Sequence, residues 1–216
     1  MPAPTIEQIT LADEPSRWSA FGFTLAGECC LLGSVSVQLA GERPGSGISR
    51  WSLREIDTAE LDGLPTAIGE QPAPAPAGEH PNGVIAIDHV VAITPQLDRT
   101  VAALQRAGLD LRRVREEPTP AGAPRQAFFR LGEVILEVVQ EPENVVHESG
   151  GAERPAHFWG LALLCADLER TAAAFEPHLG MIRDAVQPGR RIATVKRSAG
   201  LAVPLALMSA ATEAVG

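Results

Sequence analysis

Ile85–Gln140 reads IAIDHVVAITPQLDRTVAALQRAGLDLRRVREEPTPAGAPRQAFFRLGEVILEVVQ, and the order of its periodicities decides the fold. It opens with a strand. The period-2 rule puts Ile87, His89, Val91 and Ile93 on one face and Ala86, Asp88, Val90 and Ala92 on the other. Thr94-Pro95 reads as a helix start, since Thr caps and Pro suits the first helical position. Leu97, Val101 and Leu104 recur at i, i+4 and i+7 and form one apolar stripe. Gly108 reads as the stop. Leu109–Val114 can supply a strand. After a Pro/Gly-rich break, Arg125–Leu131 and Glu133–Gln140 read as two more, separated by Gly132. The unit is β-α-β-β-β.

Two residues are out of place in it. His89 and Glu137 each sit mid-strand among Ile and Val. A carboxylate buried without a partner is costly to desolvate. A His on the first strand and a Glu on the last, side by side in one sheet, make half of a metal site. Imidazole nitrogen and carboxylate oxygen suit zinc, iron, manganese or nickel.

A second unit follows. TPQLDRTVAAL aligns with CADLERTAAAF, setting Leu97 on Leu168, Arg99 on Arg170 and Thr100 on Thr171. HFWGLALLC then stands for the first strand and LAVPLALM for the last, with Pro204 expected at an edge or bulge. The same offset puts Gly160 at the His89 position. Aligning Gly132 on Gly200 puts Leu205 opposite Glu137. Neither can coordinate. Repetition at this scale marks a duplicated module.

DHVV, LDRTVAAL and FFRLGEVILEVV resemble a module of the vicinal oxygen chelate superfamily, which includes glyoxalase I, bleomycin-resistance proteins and extradiol dioxygenases. The resemblance implies an α+β fold, with repeated βαβββ modules forming cupped mixed or antiparallel sheets and helices on the outer face. It also implies a small-molecule ligand and a metal held from first and last strands, so His89 and Glu137 fall on ligand positions. Glu137 doubles as a proton carrier. Two ligands are fewer than the usual three or four. The alternatives are therefore a metal-assisted lyase, isomerase or dioxygenase and a metal-free, sequestering protein with no tightly bound ion. Whether the cup closes in one chain or across a homodimer stays open.

Residues 1–58 read as an abbreviated copy: a strand at Ile6–Leu11, a helix at Pro15–Phe23, and strands at Glu28–Leu32, Ser34–Leu39 and Ile48–Ile56. Glu7 is its nearest candidate ligand and reads as a solvated residue. Residues 59–83 read as a Pro/Ala/Gly linker, 84–140 as the central module, 141–156 as a second linker and 157–210 as the C-terminal module. His80 and His147 fall in the linkers and read as solvated. Trp18, Trp51 and Trp159 read as core. In VQPGRRIATV, Arg190 and Arg191 enter a strand, one toward each face. An Arg in the cup would hold a substrate carboxylate; on an edge it guards against strand pairing.

Composition bounds the rest. The 216 residues carry net charge −9 and a pI of about 5.1, which argues against nucleic acid and anionic membranes as partners. No apolar run reaches membrane-spanning length, and MPAPTIEQIT lacks the pattern of a signal peptide. The three cysteines do not make a disulfide framework and read as reduced core residues in a cytoplasmic protein.

Overall fold

The computed structural model describes residues 3–41, 47–70, 79–119 and 122–211. The interior of the Gly41–Gly47 turn, the Pro/Ala-rich part of the first linker at 71–78 and part of the 118–124 break lie outside them.

The central module runs β7 (Val84–Thr94), α2 (Leu97–Arg106), β8 (Asp110–Arg115), β9 (Gln126–Leu131) and β10 (Val134–Gln140). The C-terminal module runs β11 (His157–Cys165), α4 (Leu168–Phe175), β12 (Arg183–Asp184), β13 (Arg191–Thr194) and β14 (Leu205–Ser209). Together they build one eight-stranded sheet, β12-β13-β14-β11-β7-β10-β9-β8. In each module the last strand returns parallel beside the first, and the two first strands meet antiparallel at the centre. The fold is mixed α+β. β14 pairs on both sides, so Pro204 does not mark an edge. It precedes the strand, and its carbonyl accepts from the Leu161 amide.

Preceding these are β1 (Thr5–Leu11), α1 (Pro15–Ala20), β2 (Leu25–Ala26), β3 (Cys29–Leu32), β4 (Val35–Leu39), β5 (Ile48–Arg54) and β6 (Thr66–Ile68), in the order β2-β3-β4-β1-β5-β6. β4 closes this module beside β1. The stretch at Ile48–Ile56, read as the module's last strand, instead becomes β5 on the other side of β1, antiparallel to it. β5 holds the place that β11 holds against β7, and β6, inside the stretch read as linker, lies parallel beside β5. The N-terminal sheet is thus one module plus two strands of a second. In the other linker, Glu143–Glu148 forms α3.

The helix stripe works as its spacing requires: Leu97 and Leu104 are buried and Val101 packs against the core. Thr94 lies ahead of the helix. Its hydroxyl accepts from the Gln96 amide and meets Thr100 Oγ1 at 2.7 Å. Asp62 takes the Arg99 guanidinium and the Thr100 hydroxyl, which fastens the first linker to α2. The core is continuous between the sheets, where Trp51 of β5 meets Phe158 of β11 edge to face at 5.0 Å. Trp18 and Trp51 are fully buried, whereas Trp159 is 48% exposed. His80 is buried too: Nδ1 accepts from the Thr24 amide and Nε2 faces the Leu31 carbonyl at 2.9 Å. All three cysteines are free; Cys30 and Cys165 are buried, and Cys29 is part-exposed.

Candidate functional site

The cup forms on the concave face of the eight-stranded sheet, and a bulge sets its chemistry. Between Leu163↔Ile87 and Ala162↔His89 the β7–β11 register slips by one residue, leaving Asp88 unpaired. A bulge lets two consecutive side chains escape the alternation. Ile87 therefore joins Val90 and Ala92 in the core, three residues from Val90 instead of two. Asp88 joins His89 in the cup. The strict alternation expected for this strand, with Asp88 on the far face, does not hold.

The same device recurs in every module. In β1, Glu7 is the extra residue between Ile6 and Gln8, with Ile6 and Ile9 both in the core. In β11, Trp159 is extra between Phe158 and Gly160, with Phe158 and Leu161 both in the core. Glu7-Gln8, Asp88-His89 and Trp159-Gly160 are equivalent pairs. On the closing strands the register makes Gln38, Glu137 and Ala206 equivalent, by Thr10↔Gln38, Val91↔Glu137 and Ala162↔Ala206. Leu205, set opposite Glu137 by sequence alignment, lies in the core instead. Where Gly132-Glu133 joins β9 to β10, ten residues from Val195 to Pro204, with a 3-10 turn at Arg197–Ala199, join β13 to β14, and a one-residue slip exchanges faces.

A half-open cavity of about 180 Å³ lies against this bulge, walled by Phe128 and Ile135 and carrying Asp88, His89, Glu137 and Arg190. Gln187 and the exposed Glu133 complete its rim. His89 Nδ1 lies 2.8 Å from Asp88 Oδ2, and Nε2 lies 3.5 Å from Glu137 Oε2. Gln126, a buried glutamine on β9, donates to Glu137 Oε1. Arg190 reaches across from the C-terminal module, donating to Asp88 Oδ1 and, through Nε, to the Ser209 carbonyl at 2.9 Å. Arg191 points elsewhere: it is exposed and pairs with Glu169 on α4, outside the cavity. His147 and His157 are exposed.

The two carboxyls are pushed apart. Burial pushes Glu137 above the usual carboxylate range, with the nearby Asp88 charge adding to it; the His89 charge and the Gln126 hydrogen bond offset part of this. Burial also acts to raise Asp88, but its hydrogen bonds to His89 and Arg190 outweigh that and hold it below the usual range. Asp88 is thus the ionised acceptor, which places a proton on His89 Nδ1 and turns Nε2 toward Glu137. A 3.5 Å separation is long for a hydrogen bond, so Nε2 and Oε2 lie side by side and can both contact one ligand atom placed above them in the cavity.

The described residues do not complete a metal shell. His89 Nε2 and Glu137 Oε2 are two donors at a separation one ion can bridge. Asp88 is committed to His89 and Arg190. A Cβ at Gly160 would stand 2.5 Å from the Pro204 carbonyl oxygen, so no ligating side chain fits there, and Ala206 has no donor. Among the described residues no group of three or more His, Cys, Asp or Glu is arranged to hold an ion.

Sequence reasoning missed Asp88, Gln126 and Gln187. The signal for Asp88 was present: Ile6/Ile9, Ile87/Val90 and Phe158/Leu161 break the alternation at equivalent places.

No protein-family profile matches the chain, and no curated protein matches it. Solved structures do. The crystal structure of methylmalonyl-CoA epimerase from Mycobacterium tuberculosis matches with a TM-score of 0.51 and 17% identity, over 63% of this chain and 95% of that one. A xylose isomerase-like TIM barrel/4-hydroxyphenylpyruvate dioxygenase fusion protein matches with a TM-score of 0.62 and 13% identity, over 100% of this chain. This chain spans 51% of that fusion protein. At such identities the likeness is one of fold. The shared fold agrees with the cupped βαβββ architecture that the resemblance to the vicinal oxygen chelate superfamily implies. Among the described residues no helix is long and apolar enough to cross a membrane.

Proposed function

We propose that the cup binds a small molecule and that Glu137 moves a proton at a ligand carbon next to a carbonyl group. The carrying observation is one buried carboxyl, raised in pKa, beside an imidazole 3.5 Å away, both lining a half-open cavity. A general acid–base works best with its pKa near the operating pH, and burial moves Glu137 in that direction. Gln126 and His89 orient the carboxyl. Asp88 orients the imidazole, and Arg190 pins Asp88 and offers positive charge at the cavity wall. Because the donor set among the described residues stops at two, no step is assigned to a metal. The fold itself hosts many chemistries, so the reading rests on these residues alone.

The test is solvent exchange. The protein is incubated in D2O with short 2-hydroxy ketones and 2-oxo acids, and loss of the carbon-bound proton is followed by NMR. Exchange with the wild type and its loss in E137Q is the expected result. Ligand binding without exchange in either protein would favour the second reading, a sequestering protein. The missing third ligand at Gly160 and the apolar Phe128–Ile135 wall favour it.

A further inference from the structure

We propose that Trp159 is an aromatic platform for the ligand, extending the same cup beyond the cavity at Asp88, and that the ligand is therefore a small molecule with a planar ring and an oxygen-bearing head. This rests on the reading of Glu137 and His89 as the ligand's polar contact.

A single exposed tryptophan is ordinary; its placement here is not. Trp159 is the extra residue of the β11 bulge, the counterpart of Asp88. Its neighbours Phe158 and Leu161 both lie in the core, so the bulge turns Trp159 out to the concave face. Trp18 and Trp51 have bonded indole nitrogens, to Asp13 at 3.3 Å and Thr66 at 2.8 Å. Trp159 instead stays 48% exposed.

The register links it to the site. Glu137 pairs with Val91, and Val91 with Gly160. Glu137 and the Trp159-Gly160 bulge thus lie on one row of the cup, two strands apart, about 10 Å at the usual strand spacing. The floor between is apolar: Val91 on this row, and Val139 and Ile93 on the next. Gly160 adds no side chain to obstruct the path. A fused bicyclic ring with a polar, oxygen-bearing head covers this span, with the head at Glu137 and His89 and its far edge on the indole. Aromatic stacking then supplies affinity beyond what a cavity of about 180 Å³ supplies by itself.

The probes are naphthalene-2,3-diol and cyclohexane-1,2-diol, which share vicinal oxygens but differ in planarity and reach. Affinities are measured by calorimetry for wild type, W159A, W159F and E137Q, and the indole N–H resonances are followed by NMR. The expected result is preferential binding of the naphthalenediol, a shift confined to the Trp159 indole, a loss of about tenfold in W159A and little loss in W159F. Equal binding by wild type and W159A, no binding of the naphthalenediol, or a dimer that W159A dissociates would overturn it. If W159A binds as wild type while E137Q loses both diols, the platform fails and the proton-transfer site stands. If W159A loses the naphthalenediol while E137Q does not, the platform stands and the Glu137 reading fails.

Discussion

The central and C-terminal modules deliver opposite chemistry through one backbone device. Each bends its first strand at the same bulge and turns two consecutive residues into the cup. In the central module they are Asp88 and His89, with Glu137 on the closing strand. In the C-terminal module they are Trp159 and Gly160, with Ala206. The N-terminal sheet repeats the bulge with Glu7 and Gln8, where Ser52 donates to Glu7 at 2.7 Å, and Cys29 donates to Gln38 at 2.9 Å. Core packing fixes the bulge, because Ile6, Ile87 and Phe158 must reach the interior. What the escaping pair carries is not constrained by the core. The repeat therefore preserves geometry while the chemistry diverges.

The strongest way to break the comparison is G160H, which tries to copy His89 into the C-terminal module. With Pro204 O only 2.5 Å from the new Cβ, the strands must part. We expect a loss of about 3 kcal/mol in a denaturant melt, from overpacking. A variant of wild-type stability that takes up zinc would show the two bulges to be interchangeable.

D88A comes next. It leaves Arg190 and His89 facing the cup without their shared acceptor, at a site where both partners of the Arg190 pair are about 15% exposed. A loss of about 2 kcal/mol is expected, whereas W159A at the equivalent position should cost far less. Similar losses at the two positions would mean that Asp88 is no more structural than its counterpart.

Glu137 gives a pH signature that Ala206 cannot. Its pKa is raised in the folded state, so its contribution is full below the ordinary glutamate range and is lost as pH rises through the raised value. E137Q cannot ionise, so it should gain on the wild type across that window in parallel melts. Asp88 is depressed and acts oppositely: its contribution holds above the ordinary aspartate range and is lost as pH falls. An E137Q melting profile parallel to the wild type at all pH values would contradict the burial argument.

Elemental analysis of protein purified without chelator should find far less than one divalent ion per chain, since two donors make a weak site. One ion per chain, lost in H89A, would show that a third ligand comes from beyond the central and C-terminal modules. The smallest effect belongs to R191A: with an exposed pair on α4, neither the melting midpoint nor diol affinity should change, while R190A should weaken binding.

Periodicity determined much of this protein. The i, i+4, i+7 stripe of α2 and its copy in α4 are local, because 3.6 residues per turn leave few ways to bury Leu97 and Leu104 or Leu168 and Phe175. His89 and Glu137 stood out because a charge among Ile and Val is costly to bury. The tertiary structure alone decided which residues share the cup with them. A bulge shifts parity by one residue, and pairing across strands creates it, so Asp88 and Trp159 could not be placed by counting along β7 or β11 alone. The same holds for Ala206 replacing Leu205, and for β5 crossing to the far side of β1. Arg190 shows the longest reach: its partner Asp88 lies 102 residues earlier, and only closure of the two modules into one sheet brings the guanidinium to that carboxylate.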